Sequence, residues 1–392
     1  MSEFQASNFK KAQGGGASDI VGKTELPSSY FFVPPSGSTA ERPQSCSVGT
    51  VRFNTDVGTL EVYRGDTIGW EYVEKKDSQY LGGGTGSNSG TGYRVCCLGG
   101  GDLPNNPASA TNHNIIDFIT STSLGNAQDF GDLVTDSRVP SENTCASNTR
   151  GMIAGGGQSN VIQFITISST GNAQDFGDLA AHPNVMMQGQ GLSNQTRGIF
   201  AGGYAPQPAI VNVISYVTIA QQGNAVDFGD MIDDTRGAAS FASSTRGIFH
   251  AGRFSNPVGI VNTIQHITIS TTGDAQDFGD ATDQKDFNAG GSNATRGIVF
   301  GGRTPDSTNT IEFVTIATLG NALDFGDMIQ ATDELGAAAA GTRAFSLGGT
   351  PTPAINIISF VEISTRGNAE DFGDLTKARF HCGGLSNGHG GL

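Results

Sequence analysis

The 392 residues could supply more than one ordinary domain, yet 57 of them are Gly, only 15% are charged and the formal net charge is −15. That acidity, with no Lys/Arg run, excludes an electrostatic footprint for nucleic acid, because nothing is available to neutralise phosphates. No stretch approaches the roughly 18 apolar residues of a membrane helix, and Met1 to Ala17 is polar and Gly-rich without the apolar core of a secretory signal.

These features lead to the expectation of a soluble protein made in a cytosol, without membrane insertion. The five cysteines, Cys46, Cys96, Cys97, Cys145 and Cys382, are odd in number, and the adjacent pair would point to opposite faces of a strand. They are expected to be reduced.

In chain order, residues 1–45 show no sustained period and read as an extended anchoring arm, with an apolar patch at Tyr30 to Val33. Residues 46–80 change character. Thr50-Val-Arg-Phe-Asn54, Thr59-Leu-Glu-Val-Tyr63 and Trp70-Glu-Tyr-Val73 alternate with turn residues and predict a small three-stranded β-meander. Arg64-Gly-Asp66 spells an adhesion tripeptide but falls in the turn before Trp70. Residues 81–92, rich in Gly and Ser, read as a hinge.

Residues 93–392 are governed by a repeat, the strongest signal in the chain. An octapeptide Gly-Asn/Asp-Ala-x-Asp-Phe-Gly-Asp begins at Gly125, Gly171, Gly223, Gly273, Gly320 and Gly367. At a fixed distance before each stands an Asn (Asn114, Asn160, Asn212, Asn262, Asn309 and Asn356) that opens a strand-like run apolar on both faces, such as Asn309 to Ile316. Such a strand must be covered on both sides, as in sheets packed face to face.

Upstream lies a second strand starting at Arg94, Arg150, Arg197, Arg246, Arg296 or Arg343 and mostly ending in paired glycines, with Gly252-Arg253 departing in the fourth copy. A small-residue run after each octapeptide makes about four short strands per unit. The fold expected is all-β, a six-bladed β-propeller preceded by the arm and the meander. Arg379 to Ser386 either completes the sixth unit or closes the ring on the first.

Strand, Gly-Gly, loop, strand in such units resembles the kelch-type propeller repeat, over about Tyr93 to the C-terminus. It lacks the Trp usual in that repeat, since the single Trp70 lies outside. Arg52-Phe-Asn-Thr-Asp56, Gly58 to Tyr63 and Trp70 resemble a short module of structural proteins in tailed bacteriophages, in tail fibres and neck or collar appendages. The Thr-Arg-Gly…Gly-Gly…Thr-Ile…Gly-Asn-Ala-x-Asp-Phe-Gly-Asp repeat resembles repeats in structural proteins of marine phages, cyanophages included. These resemblances imply a non-enzymatic virion protein, assembled in the host cytoplasm, held by its N-terminal region to tail, neck or capsid proteins and self-associating. Its propeller would serve decoration or recognition of a host surface polysaccharide or protein. The alternatives are a cellular kelch-like scaffold that binds proteins and a carbohydrate-active propeller.

Variable loop length lies between the second and third strands, from 10 residues (Arg150 to Asn160) to 20 (Arg94 to Asn114). Variable loops on a rigid scaffold are where binding is usually placed. The candidate binding residues are Asp102, Asn105, Asn106, Tyr204, Gln207, Phe254, Asn256 and Asp306.

The first octapeptide acid, Asp129, Asp175, Asp227, Asp277, Asp324 or Asp371, is expected to be structural, capping a turn or pairing with a repeat arginine among Arg150, Arg197, Arg246, Arg296 and Arg343. On that basis Asp227→Ala is expected to lower thermal stability. Asp-Phe-Gly without a kinase catalytic loop carries no phosphotransfer. Two carboxylates per repeat fall short of a calcium loop, and His113, His182, His250, His266, His381 and His389 show no metal-ligand spacing. No catalytic residue, metal or cofactor is expected, although Asp102, Asp117 and His182 mark copies that depart from the rest.

Overall fold

The computed structural model describes residues 34–43, 46–56, 59–66, 69–72, 93–102, 111–134, 143–156, 159–179, 188–204, 210–255, 258–350 and 353–392. Contacts divide the chain into Met1–Asp77 and Ser78–Leu392. The described secondary structure is strand apart from one 3-10 turn, Thr39–Glu41. The Tyr30 to Val33 patch and the 81–92 hinge lie outside the described residues.

In the first unit Val51–Asn54, Thr59–Tyr63 and Trp70–Tyr72 form the antiparallel meander in sequence order. Part of the stretch read as an unstructured arm joins it: Ser36–Gly37 pairs parallel with Val51–Asn54. Arg42 then reaches the fully buried Glu61 at 2.6 Å. Burial opposes ionisation of Glu61, but hydrogen bonds from Arg42 and Asn54 hold its carboxyl below the usual range. Charge pairing to the meander is what fixes this stretch.

Among the described residues the second unit contains six antiparallel sheets with four main strands each, numbered I to VI here, and one two-stranded ladder, Gly101–Asp102 with Thr111–Asn112. Sheet II is Thr144–Ala146, Arg150–Ala154, Val161–Thr166 and Gln174–Asp178, and sheet III is Gln190–Ser193, Arg197–Ala201, Val213–Thr218 and Val226–Asp230. Sheet IV is Ala239–Ala242, Arg246–Ser255, Val258–Thr268 and Gln276–Asp280, with Thr235–Arg236 added to its second strand. Sheet V is Ala289–Ser292, Arg296–Phe300, Thr310–Thr315 and Leu323–Asp327; sheet VI is Gly336–Ala340, Arg343–Leu347, Ile357–Glu362 and Glu370–Asp374. Sheet I draws its first strand, Gly383–Ser386, from the C-terminus and pairs it with Arg94–Leu98, followed by Ile115–Thr120 and Gln128–Asp132. The C-terminal segment therefore joins the first sheet.

Between consecutive sheets lies one apolar core, and the sixth such core packs sheet VI against sheet I through Val95, Ile119, Phe345 and Phe372. This is why the third strands are apolar on both faces: each side chain row serves a different core. The octapeptide Phe fills that gap. Phe176, for example, meets Phe164 edge-on at 5.9 Å between centroids, and the same contact recurs in every sheet, with His266 as the partner in sheet IV. Burying each Phe contributes roughly 1.5–3 kcal/mol.

The octapeptide also locks neighbouring sheets at their outer strands. The Gly223 and Ala225 N–H groups donate to the carbonyls of Phe176 and Asp178, and the Asn224 side chain accepts from the Asp178 N–H at 3.0 Å. The same three bonds recur around all six sheets, ending with Gly125, Asn126 and Ala127 of sheet I on Phe372 and Asp374 of sheet VI. The second Gly has two reasons to be Gly. At Gly229 φ is +148°, and a Cβ there would stand 2.6 Å from the Gly273 carbonyl of the next sheet.

The repeat arginines do not pair with the first octapeptide acids, contrary to expectation. Each lies over an aromatic ring of its own sheet, as Arg197 does over Tyr216 at 4.6 Å, and donates to a carbonyl at the end of the next sheet's third strand. Arg150 reaches Ile219, Arg246 reaches Ile316, Arg296 reaches Ile363, and Arg343 closes the series on Ser121. Asp129, Asp175, Asp227, Asp277, Asp324 and Asp371 are exposed on the outermost strands, where no further strand pairs. A carboxylate on an open edge deters edge-to-edge association, which gives the repeated acid a role needing no partner.

Candidate functional site

In each sheet the loop between second and third strands and the link from the fourth strand into the next first strand emerge at the same end, the loop face. The links bend sharply there. Gln188, Gly237, Phe287, Glu334 and His381, each just before a first strand, all have positive φ, between 50° and 61°. Successive backbone bonds join them: Gly237 N–H to Gln188, Phe287 to Gly237, Glu334 to Phe287 and His381 to Glu334. Four of these five are not glycine, and left-handed backbone costs such residues on the order of 1–2 kcal/mol each.

The first strands run on from these links, and their small residues (Gly191, Ser240, Gly291, Ala338 and Gly384 among them) line a space of about 50 Å³. That is room for a few waters. At the far end the C-terminal tail closes the space: His389 Nε2 lies 2.9 Å from the Ala146 carbonyl, and the Gly390 N–H bonds to Ser292. Among the described residues the first strands leave this small space between them, and the charged side chains considered next lie on the loop face.

There, sheet IV departs from the rest, with second and third strands of 10 and 11 residues against 5 and 6 in sheet V. Its register corrects one sequence reading. Ala251 (φ 60°) takes the place of the first Gly and Gly252 that of the second, so Arg253 replaces no glycine and instead aligns with Tyr204, Arg303 and Thr350.

Arg253 is cross-paired with Arg236, and Arg303 with Asp286. The fully buried Asp286 is shared, lying 3.2 Å from Arg253 and 3.4 Å from Arg303. Burial pushes the Asp286 carboxyl up while the arginines oppose that. Arg303 also lies 3.8 Å from Asp333 and stacks over Phe287 at 4.5 Å. Arg236 donates to Gln188 Oε1 at 2.8 Å and lies over the Tyr204 ring, with no carboxylate in ion-pair range among the described residues. Burial and the neighbouring Arg253 lower its pKa.

Of the sequence candidates, Tyr204 belongs to this cluster. Asp102 stands apart on a two-stranded ladder, Gly101–Asp102 with Thr111–Asn112, in the loop of sheet I, accepting from the Thr111 N–H at 2.9 Å and lying 3.3 Å from His113 and 3.4 Å from Lys377. Burial works against its ionisation, but the Thr111 and Lys377 contacts keep its carboxyl below the usual range. Asp306 is exposed at a loop tip of sheet V. Phe254 is corrected: it is 6% exposed and packs opposite Thr235, so it is part of the scaffold. Asn105, Asn106, Gln207 and Asn256 lie outside the described residues, as does His182.

Two buried ion pairs explain copies that look irregular in sequence. Asp117 pairs with Arg379 at 2.7 Å, both fully buried, and its carboxylate also accepts from the Thr376 N–H and hydroxyl. Glu312 meets Lys285 at 2.6 Å and His250 at 3.5 Å, and accepts from the Thr282 N–H. Both acids occupy the third-strand position where Gln163 and Gln265 accept the equivalent N–H groups of Val134 and Ile232. They are sheet-to-sheet fasteners. Burial drives His250 down to about 4, so it is neutral at pH 7.

The sequence reading did not single out Arg236, Arg253, Arg303 or Asp286 as site residues. Their shared signal was position: Arg236 and Asp286 each stand six residues past the last octapeptide Asp. Compared with known proteins, the chain matches no family model, and no curated protein matches it in sequence.

Proposed function

We propose that residues 93–392 form a six-bladed, kelch-like β-propeller, and that the chain is a non-enzymatic structural protein of a phage virion. Its N-terminal region anchors it to other virion proteins, and its loop face is presented for decoration or host-surface recognition. Six consecutive sheets, six cores and three sets of hydrogen bonds that return from sheet VI to sheet I support the propeller reading. The virion reading rests on the Arg52 to Trp70 module and the octapeptide repeat, which resemble segments of tailed-phage structural proteins.

The observation that carries the recognition role is the division between the two ends of the second unit. The end where the chain enters at Tyr93 is closed by the C-terminal tail, with Tyr93 against Gly388. The opposite end carries the variable loops and the arginine cluster. A scaffold held at one end and patterned at the other suits recognition better than turnover.

Antibody-gold labelling of intact particles, with an antibody against residues 93–392, tests the assignment. Label on a discrete appendage or shell is the expected result. Particles free of both label and this chain's peptides would refute it.

A further inference from the structure

We propose that Arg236, Arg253 and Arg303 on the loop face bind the carboxylate of an acidic, hydroxyl-rich saccharide. The proposal rests on the loop face being the recognition face and is independent of the virion assignment.

The chain carries 22 Lys and Arg against 37 Asp and Glu, so three guanidiniums gathered from the links and loops of sheets IV and V run against its overall charge. Their arrangement is unfavourable for the scaffold alone. Arg236 and Arg253 are direct partners across an antiparallel bridge, and like charges so placed repel. Asp286 lies within ion-pair distance of Arg253 and Arg303, whereas Arg236 has only an amide oxygen and a ring beside it. The buried Arg236 Nε has no hydrogen-bond partner. In the fixed fork of arginine, a free edge fits a planar carboxylate through paired hydrogen bonds.

Access and charge balance narrow the ligand. Arg253 and Arg303 keep 33% and 34% of their side chains exposed, so these two side chains are open to a ligand. The acids beside them, Asp286, Asp333 and Glu334, leave little net positive charge and disfavour a dianion. Of these acids Glu334, with 16% of its side chain exposed, can accept a hydrogen bond from a ligand hydroxyl, and the partly exposed Tyr204 lies at the edge of the cluster. A uronate combines one negative charge, a planar carboxylate and several hydroxyls.

The test is calorimetric titration of the full chain with a galacturonic-acid oligosaccharide, its neutral galactose counterpart and inorganic phosphate. The expected result is binding of the acidic oligosaccharide alone. Arg236→Gln, which breaks no ion pair, should weaken that binding at least tenfold at an unchanged melting temperature, whereas Arg253→Gln should weaken it while also lowering the melting temperature, because it leaves the buried Asp286 with one arginine fewer. Wild-type affinity in Arg236→Gln, binding of the neutral sugar as tightly as the acidic one, or binding of phosphate without the uronate would overturn the proposal. The outcome is read on isolated protein, so it is separable from where the chain sits on a particle.

Discussion

Gly229→Ala separates the octapeptide's role as a lock from its role as sequence decoration. Alanine at φ +148° costs roughly 1–3 kcal/mol in backbone strain alone. Its Cβ would also stand 2.6 Å from the Gly273 carbonyl carbon, so sheets III and IV must part locally. That parting loosens the bonds from Gly273 and Ala275 to Phe228 and Asp230, each 2.8 Å, and from the Asp230 N–H to Asp274. At about 1 kcal/mol per bond the loss reaches roughly 3–5 kcal/mol. For a unit of this size that lowers the melting temperature by about 10 °C. Gly273→Ala is the internal control, because φ is +152° yet nothing lies within 4 Å of its Cβ; it should show the strain alone. Thermal denaturation followed by circular dichroism reads both. Equal shifts for the two variants, or none for Gly229→Ala, would refute the lock.

Further outcomes follow from the same contacts. Asp227→Ala should leave melting within about 0.5 kcal/mol of wild type, since its carboxylate is exposed and unpaired with any repeat arginine; a large loss would restore a structural partner for it. Lys285→Thr alone strands the buried Glu312 and should cost about 3–5 kcal/mol in chemical denaturation. Adding Glu312→Gln should recover most of this by reproducing the neutral residues, Gln265 and Thr235, that stand at the equivalent positions between sheets III and IV, and strictly additive losses would contradict that account. His250 is neutral in the folded chain down to about pH 4, while the unfolded chain takes up its proton near 6.5. Stability should therefore fall as pH drops through that window, by up to roughly 3 kcal/mol from this residue. Glu312, held low by His250 and Lys285 against its burial, loses its contribution on further acidification. Asp286 and Asp333, pushed up by burial, act in the opposite direction. His250→Phe, after Phe300 at the same place in sheet V, should flatten the decline between pH 7 and pH 4, and parallel profiles would count against it.

The sheets were legible because their signals are periodic and local. Third strands apolar on both faces demanded cover on two sides, and the six cores supply it. The meander was read from turn residues between alternating runs, whereas the parallel strand Ser36–Gly37 was not, since two residues carry no period and its seat depends on Arg42 finding a buried Glu61. The octapeptide was visible, but its mechanism was misassigned. Its acid and the repeat Arg look like natural partners in one dimension, yet the Arg satisfies a carbonyl of the following sheet, about 70 residues away in sequence. The arginine cluster was hidden for the same reason. Arg236, Arg253 and Arg303 come from different links and loops, and only the packing of consecutive sheets brings them together. Tyr204 was found because variable loops cluster at one end; Phe254 was misread because sheet IV extends its hairpin and buries that ring.

Closure of the six sheets by the C-terminal strand is the central structural claim, and native-state thiol labelling tests it directly. Cys382 precedes that strand and is fully buried between sheets VI and I, as is Cys97, and Cys96 is buried between sheets I and II, whereas Cys46 lies in the first unit and is partly exposed. Burial also pushes the Cys96 thiol up to about 12, which slows its reaction further. With a maleimide at neutral pH, Cys46 should label within minutes and Cys382 only after denaturation. Labelling of Cys382 at the rate of Cys46 in the native chain would contradict a seated closing strand, and with it the ring.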